Sequence, residues 1–196
     1  MDPVETAQDA RDKHDGLNTW IAIVVALLAT FMGISKVKDD NIVQAMLQSK
    51  SDSVDRWGQY QAKSTREYLA GIRVDELKLR QADAAELSPA RAKALQDSLV
   101  HWQAEGRRYE REKADVRKQA EDLEAQYDAL NVHDDQFDLS DALLSVAVAL
   151  LAVTALTRKK QLFFVALVFS FFGLLMGLAG LVGWGLHPGA LMRLLS

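Results

Sequence analysis

Four histidines, His14, His101, His133 and His187, are the residues in this chain best suited to ligate a metal. No two of them share a ligand spacing. Neither E-x-x-H nor H-E-x-x-H, which set two donors on one helical face, is present. His133-Asp134-Asp135 places a nitrogen donor beside two carboxylates and could hold a metal at a membrane surface; a solvated helix end is the plainer account of the same residues. The glycine-rich phosphate and dinucleotide loops, G-x-x-x-x-G-K-[ST] and G-x-G-x-x-G, do not occur, and neither does the nucleophile turn G-x-S-x-G. There is no cysteine, which excludes disulfides, thiolate metal sites and a thiol nucleophile. Nothing here supports an enzyme, and the sequence predicts no catalytic residue, no cofactor and no metal. A net charge of −4 gives no bulk electrostatic argument for binding nucleic acid.

The most unusual polar stretch is Trp57-Gly58-Gln59-Tyr60-Gln61-Ala62-Lys63-Ser64. On a helix it sets aromatic and polar groups on neighbouring faces. Trp57, Tyr60, Gln61 and Lys63 are therefore candidate docking or inter-subunit residues. The alternative is packing, with Trp57 and Gln61 on a seam between helices.

The elements that must carry these residues follow from how the apolar residues are distributed. Mean hydropathy is near zero, yet the apolar residues form three blocks, with a strongly charged middle and greasy ends. Residues 17–35 hold an uncharged run, LNTWIAIVVALLATFMGI, of about the minimal length for a bilayer span, with Trp20 where an interfacial aromatic belongs. Its acidic flank and the lack of an A-x-A-like site favour a retained anchor over a cleaved signal peptide. Residues 139–157 and 162–186 are two further spans, joined by the short basic Arg158-Lys159-Lys160-Gln161. The last span is glycine-rich, and Gly173 and Gly177 make a GxxxG pair that lets helix backbones approach closely.

Between the first and second spans, residues 36–138 read as a helical hairpin. The second arm carries a four-three stripe: Leu95, Leu99, Trp102, Gly106, Tyr109 and Lys113, then Val116, Ala120, Leu123, Tyr127 and Leu130. That period, bounded by charge, is a coiled-coil seam. Gly106 and Lys113 interrupt it, as register-setting residues or as a local loosening with Lys113 snorkelling to water. The first arm has a less perfect stripe through Val43, Leu47, Val54, Trp57 and Tyr68, so this helix is expected to have more than one neighbour. Gly58 and Gly71 weaken it slightly. Leu87-Ser88-Pro89-Ala90 is the turn signal, with Ser88 as N-cap and Pro89 at the first helical position, so the tip lies near 87–90. The arms then measure about 73 Å and about 70 Å at the usual rise per residue. Equal antiparallel arms return the chain to the membrane it left. Several shorter helices in a compact bundle are the competing arrangement. Asn131–Asp138 is expected to end the second arm, residues 1–16 form an acidic tail, and residues 187–196 form an interfacial one.

With these elements placed, the chain resembles the bacterial family known as domain of unknown function 4337. The Trp57–Ser64 block is similar to that family's W-x-x-Y-Q-A-K-S segment. Phe137-Asp138-Leu139 with Leu143-Leu144, the basic Thr157–Lys160 and the glycine-rich last span also fit. The resemblance covers most of residues 17–185 and implies the same all-α architecture, without activity, substrate or cofactor.

The expected object is thus all-α: three transmembrane helices plus a long antiparallel coiled-coil hairpin between the first two. The basic cluster at 158–160 puts that loop and the N terminus in the cytoplasm and the hairpin in the periplasm of a bacterial inner membrane. Two arms alone have too little core to hide Trp57, Trp102, Tyr109 and Tyr127, so a homo-oligomer is expected, joined through the hairpin and the Gly173/Gly177 face. Its other partners are membrane lipids. The expected role is a structural scaffold or interaction adaptor; the alternative is an oligomeric channel or transport accessory with a pore between protomers.

Overall fold

A computed structural model describes residues 3–82 and 88–185, with side chains from residue 16 onward. Three helices carry nearly all of them: α1, Pro3–Ala82; α2, Pro89–Thr157; and α3, Lys160–Val182. No strand occurs among the described residues, so the chain is all-α. Each helix contains a stretch long and apolar enough to cross a membrane. The tip residues 83–87 and the tail 187–196 lie outside the described residues.

The helices ignore boundaries that polarity suggests. α1 runs without a break through residues 16–17 and 35–36, and α2 runs through Asn131–Asp138, where an end was expected. Polar and acidic side chains do not interrupt the backbone ladder; a proline would, and none lies inside either helix beyond its first position. Both helices open on proline, where a missing N–H costs nothing. At the start of α2 the Ser88 carbonyl accepts from the N–H groups of Arg91 (2.9 Å) and Ala92 (3.0 Å). α2 and α3 are separated by only Arg158 and Lys159, shorter than the expected four-residue loop. Arg158 takes the left-handed conformation (φ 59°) and its N–H bonds the Thr154 carbonyl. α3 ends at Val182, capped by Gly183, rather than near 186. Gly183 adopts φ 77°, which suits a residue without Cβ, and the Trp184 N–H closes on Ala179 O.

The chain divides into two compact units, Met1–Met46 with Asp128–Ser196, and Leu47–Tyr127. In the first, Ile21 and Leu28 of α1 pack with Leu144, Ala147 and Leu151 of α2 and Ala166 of α3. Large apolar residues such as Leu27, Val153, Phe164 and Phe171 face outward, as lipid-facing residues would. The buried hydroxyls of Thr154 and Ser170 donate to carbonyls one turn earlier in their own helices, Leu150 O and Ala166 O. α3 presents glycines to its neighbours. A Cβ at Gly173 would sit 2.7 Å from Leu144, one at Gly177 2.6 Å from the Phe31 ring, and one at Gly180 2.9 Å from the Phe137 ring. The close approach that GxxxG permits is therefore made to α1 and α2 of the same chain.

In the second unit the two arms run in opposite directions. Ser53 and Trp57 meet Glu124, Lys63 meets Glu112, Glu67 meets Lys113, and Gln81 meets Gln96, so partners descend on one arm as they rise on the other. All eleven positions of the α2 stripe, Leu95 to Leu130, are buried or half-buried. The α1 stripe differs from expectation. Its buried line runs through Ile42, Met46, Ser49, Ser53, Ala70 and Leu77, while Leu47, Val54 and Tyr68 are exposed. The inner line is rich in small and polar residues, which let the arms approach and pair ions, so a count of large apolar residues misses it. Where the two arms pass at Gly106, a Cβ there would lie 3.9 Å from that of Ala70, an ordinary contact. Gly106→Ala should accordingly raise stability by about 1 kcal/mol through helix propensity alone, seen as a higher thermal midpoint. A lower midpoint would mean the arms are closer here than the contact indicates.

Candidate functional site

Two sites stand out, one in each unit. The first is the polar lock between the arms. Trp57 is half-buried; its indole Nε1 donates to Glu124 Oε1 (2.9 Å), and its ring meets Tyr60 edge-on (5.5 Å between centroids). Ser53, only 1% exposed, donates to the same oxygen at 3.4 Å. One carboxylate of α2 thus gathers two donors from successive turns of α1. Two turns further along α1, Lys63 pairs with Glu112, which is held below its usual carboxylate range mainly by that hydrogen bond. Lys113 pairs with Glu67, and this hydrogen bond raises the ammonium pKa. The two pairs have opposite sense, acid on α2 in one and acid on α1 in the other. A slip of one turn would set like charges together.

The singled-out residues fall around this lock. Tyr60 and Lys63 are half-buried in it, but Gln61 is exposed and only its backbone carbonyl is used, by Thr65 Oγ1 (3.0 Å). Trp102, Tyr109, Lys113, Leu123 and Tyr127 are half-buried along α2. Tyr109 accepts from Arg108 (3.1 Å), and Lys50 lies over the Tyr127 ring at 5.7 Å. Gly173 and Gly177 are in the first unit, against Leu144, Ser140 and Phe31. Ser53, Glu67, Glu112 and Glu124 were not foreseen. For Ser53 and Glu67 the signal was a polar line one residue N-terminal to the apolar α1 stripe; Glu112 and Glu124, on α2, carried no such signal.

The second site is an acidic pocket beside the spans, in the first unit. It has about 30 Å³ of room, enough for one water-sized group, and is lined by Ser35, Lys36, Asp39, Phe137, Asp138 and Asp141 with Met32. Asp39 is 5% exposed. Its Oδ2 accepts from Lys36 Nζ (2.8 Å), while its Oδ1 and the buried Ser35 hydroxyl have no hydrogen-bond partner among the described residues. Burial, then the charges of Asp138 and Asp39, push Asp134 up to about 6; burial and Asp39 also raise Asp138, against the opposing pull of Lys36. His133 turns to Gln136 (3.2 Å), and Gln136, fully buried, donates to Trp184 O (2.7 Å), tying α2 to the end of α3. Among the described residues no group of three or more His, Cys, Asp or Glu has the geometry to hold a metal.

The raised Asp134 gives a pH dependence with a definite sign. Unfolded, the carboxyl ionises near 3.8; folded, near 6. Between those values the folded chain holds the extra proton. Stability from this group is therefore full below about 3.8, falls as pH rises towards about 6, and stays low above. Asp134→Asn should remove that slope and stabilise the chain at pH 7, read from thermal midpoints at pH 4.5 and 7. An unchanged slope would assign it to other carboxylates.

The family model described as Domain of unknown function (DUF4337) matches residues 17–183. No curated protein and no solved structure matches the chain.

Proposed function

This chain belongs to the DUF4337 family, and we propose that it is a homo-oligomeric integral membrane protein acting as a scaffold or interaction adaptor of the bacterial cell envelope. In this reading three spans anchor a coiled-coil hairpin made by the two arms. The observation that carries it is the alternating-sense lock, Lys63–Glu112 and Glu67–Lys113 with Glu124 gripping Trp57 and Ser53. Such a lock fixes register between long arms, which is what a protein that presents a surface at a set position needs. The basic Arg158–Lys160 supports a cytoplasmic α2–α3 turn and N terminus, a periplasmic hairpin and an inner-membrane location.

The test uses the missing cysteines. Ser88→Cys, at the exposed start of α2, is labelled in cells with a permeable outer membrane by a thiol reagent that cannot cross the inner one. Labelling before lysis supports an envelope scaffold; labelling only after lysis turns the arms to cytosolic partners. The acidic pocket beside the spans favours one second reading, an oligomeric channel or transport accessory that gathers cations at its mouth. Cation flux through purified protein in liposomes would establish it, and a tight oligomer without flux would leave the scaffold.

A further inference from the structure

The apolar stripe that does not face the second arm is itself informative. Leu47, Val54, Tyr68, Ile72 and Leu79 are 65%, 60%, 70%, 47% and 71% exposed. They recur at steps of seven and four along α1. The positions that complete the four-three pattern are Ser51, Gly58, Gln61, Thr65 and Asp75, all exposed. Only Asp75 carries charge, and Lys78 one turn on balances it at 3.7 Å. α1 therefore bears two seams: an inner one against the second arm and an outer one that none of the described residues covers. On α2 of this unit the only large apolar residue left exposed is Val100 among the described residues.

We propose that the outer stripe of α1, from Leu47 to Leu79, is a self-association face that pairs in parallel and in register with the same stripe of a second copy. The inference rests on the homo-oligomer reading above and names the surface that reading needs. Charge selects both occupant and direction. In a two-stranded parallel coil, flanking residues meet those five positions further along the neighbour. Lys50 then faces Asp55 of the second copy, and Asp55 has no ion pair within its own chain among the described residues. The other flanking meetings are Trp57 with Ala62, Ser64 with Leu69 and Gly71 with Glu76, so no like charges oppose at the flanks; within the stripe Asp75 faces its own copy, and Lys78 of each chain offsets that pair. The antiparallel register that sets Leu47 on Leu79 would instead bring Lys50 against Lys78. Copies whose α1 helices start from the same membrane also meet in the parallel sense. Gln61 then faces its own copy in the middle of the stripe, a buried amide pair of the kind that fixes register and strand number. That gives the exposed Gln61 a role the single chain does not supply. Gly58 and Gly71 have nothing within 4 Å of a built Cβ, so the face has room for a neighbouring helix.

The experiment uses the full chain in detergent or nanodiscs, with single cysteines under mild oxidation. Val54→Cys and Gln61→Cys should each cross-link most of the protein to a dimer. Lys118→Cys, on the exposed side of α2, should not. A mixture of Leu47→Cys and Leu79→Cys chains should yield no Leu47–Leu79 cross-link. Val54→Glu should weaken association at least about tenfold with helicity unchanged, since Val54 touches little in its own chain. An intact oligomer whose Val54 and Gln61 variants cross-link no better than Lys118 overturns this face but leaves oligomerisation standing. A Leu47–Leu79 cross-link overturns the parallel sense. A chain monomeric at every concentration overturns both this face and the oligomeric reading.

Discussion

Gly177→Leu is expected to unpack the three spans, with a loss of about 3 kcal/mol or failure to accumulate in the membrane. The Cβ alone meets Phe31 at 2.6 Å and the Ser140 hydroxyl at 2.7 Å. The phenyl ring is rigid and comes from α1, the serine from α2, so one added side chain pushes on both neighbours of α3. Ser140 is 2% exposed and donates to Gly173 O at 2.8 Å. Displacing it strands a hydroxyl where no water can replace the lost partner. Gly33→Leu is the control. It makes the same change in a helix where nothing lies within 4 Å of the new Cβ, and helix propensity then favours leucine. Thermal unfolding of the two variants in one detergent gives the comparison. Equal midpoints would mean that α3 does not pack on α1 and α2 through this face.

The three apolar stretches were legible because a run long and apolar enough to cross a bilayer stands out from charged sequence, and no other stretch among the described residues matches them. The α2 stripe was legible for a related reason: Leu99, Val116 and Ala120 repeat at seam spacing among charges, and all three are buried. The α1 stripe misled because its large apolar residues and its inner line lie on different faces. Seam residues on α1 include Ser49, Ser53, Lys63 and Glu67, which hydropathy scores as surface. Only the partner's charges, Glu112, Lys113 and Glu124, explain them, and those lie far away in sequence. The acidic pocket was hidden for the same reason. His133 and its acidic neighbours drew attention as a cluster, but the partner that raises Asp134 and Asp138 includes Asp39 from another helix. Helix ends at 131–138 were expected from polarity, which decides what surrounds a helix rather than where its ladder stops.

Leu123→Asp is expected to loosen the two arms by roughly 2–3 kcal/mol, the loss of half-buried apolar surface plus the cost of a carboxylate in its place. The new charge would sit next to Glu124, the residue that holds Trp57 and Ser53. Two adjacent carboxylates repel, so Glu124 would be drawn off its donors. The Trp57 indole would then lose its acceptor, and Ser53, almost wholly buried, would lose the carboxylate it donates to across the arms. Glu105→Gln makes a contrasting change on the same helix. Among the described residues Glu105 pairs with Arg108, three residues on, at 2.7 Å, and such a partly exposed pair within one helix is worth a few tenths of a kcal/mol. Urea unfolding followed by helicity should separate the variants clearly, and tryptophan emission should move to the red in Leu123→Asp before the helix is lost. If both variants unfold at the same midpoint, the seam assignment of α2 is wrong, and the arms are held by their flanking charges instead.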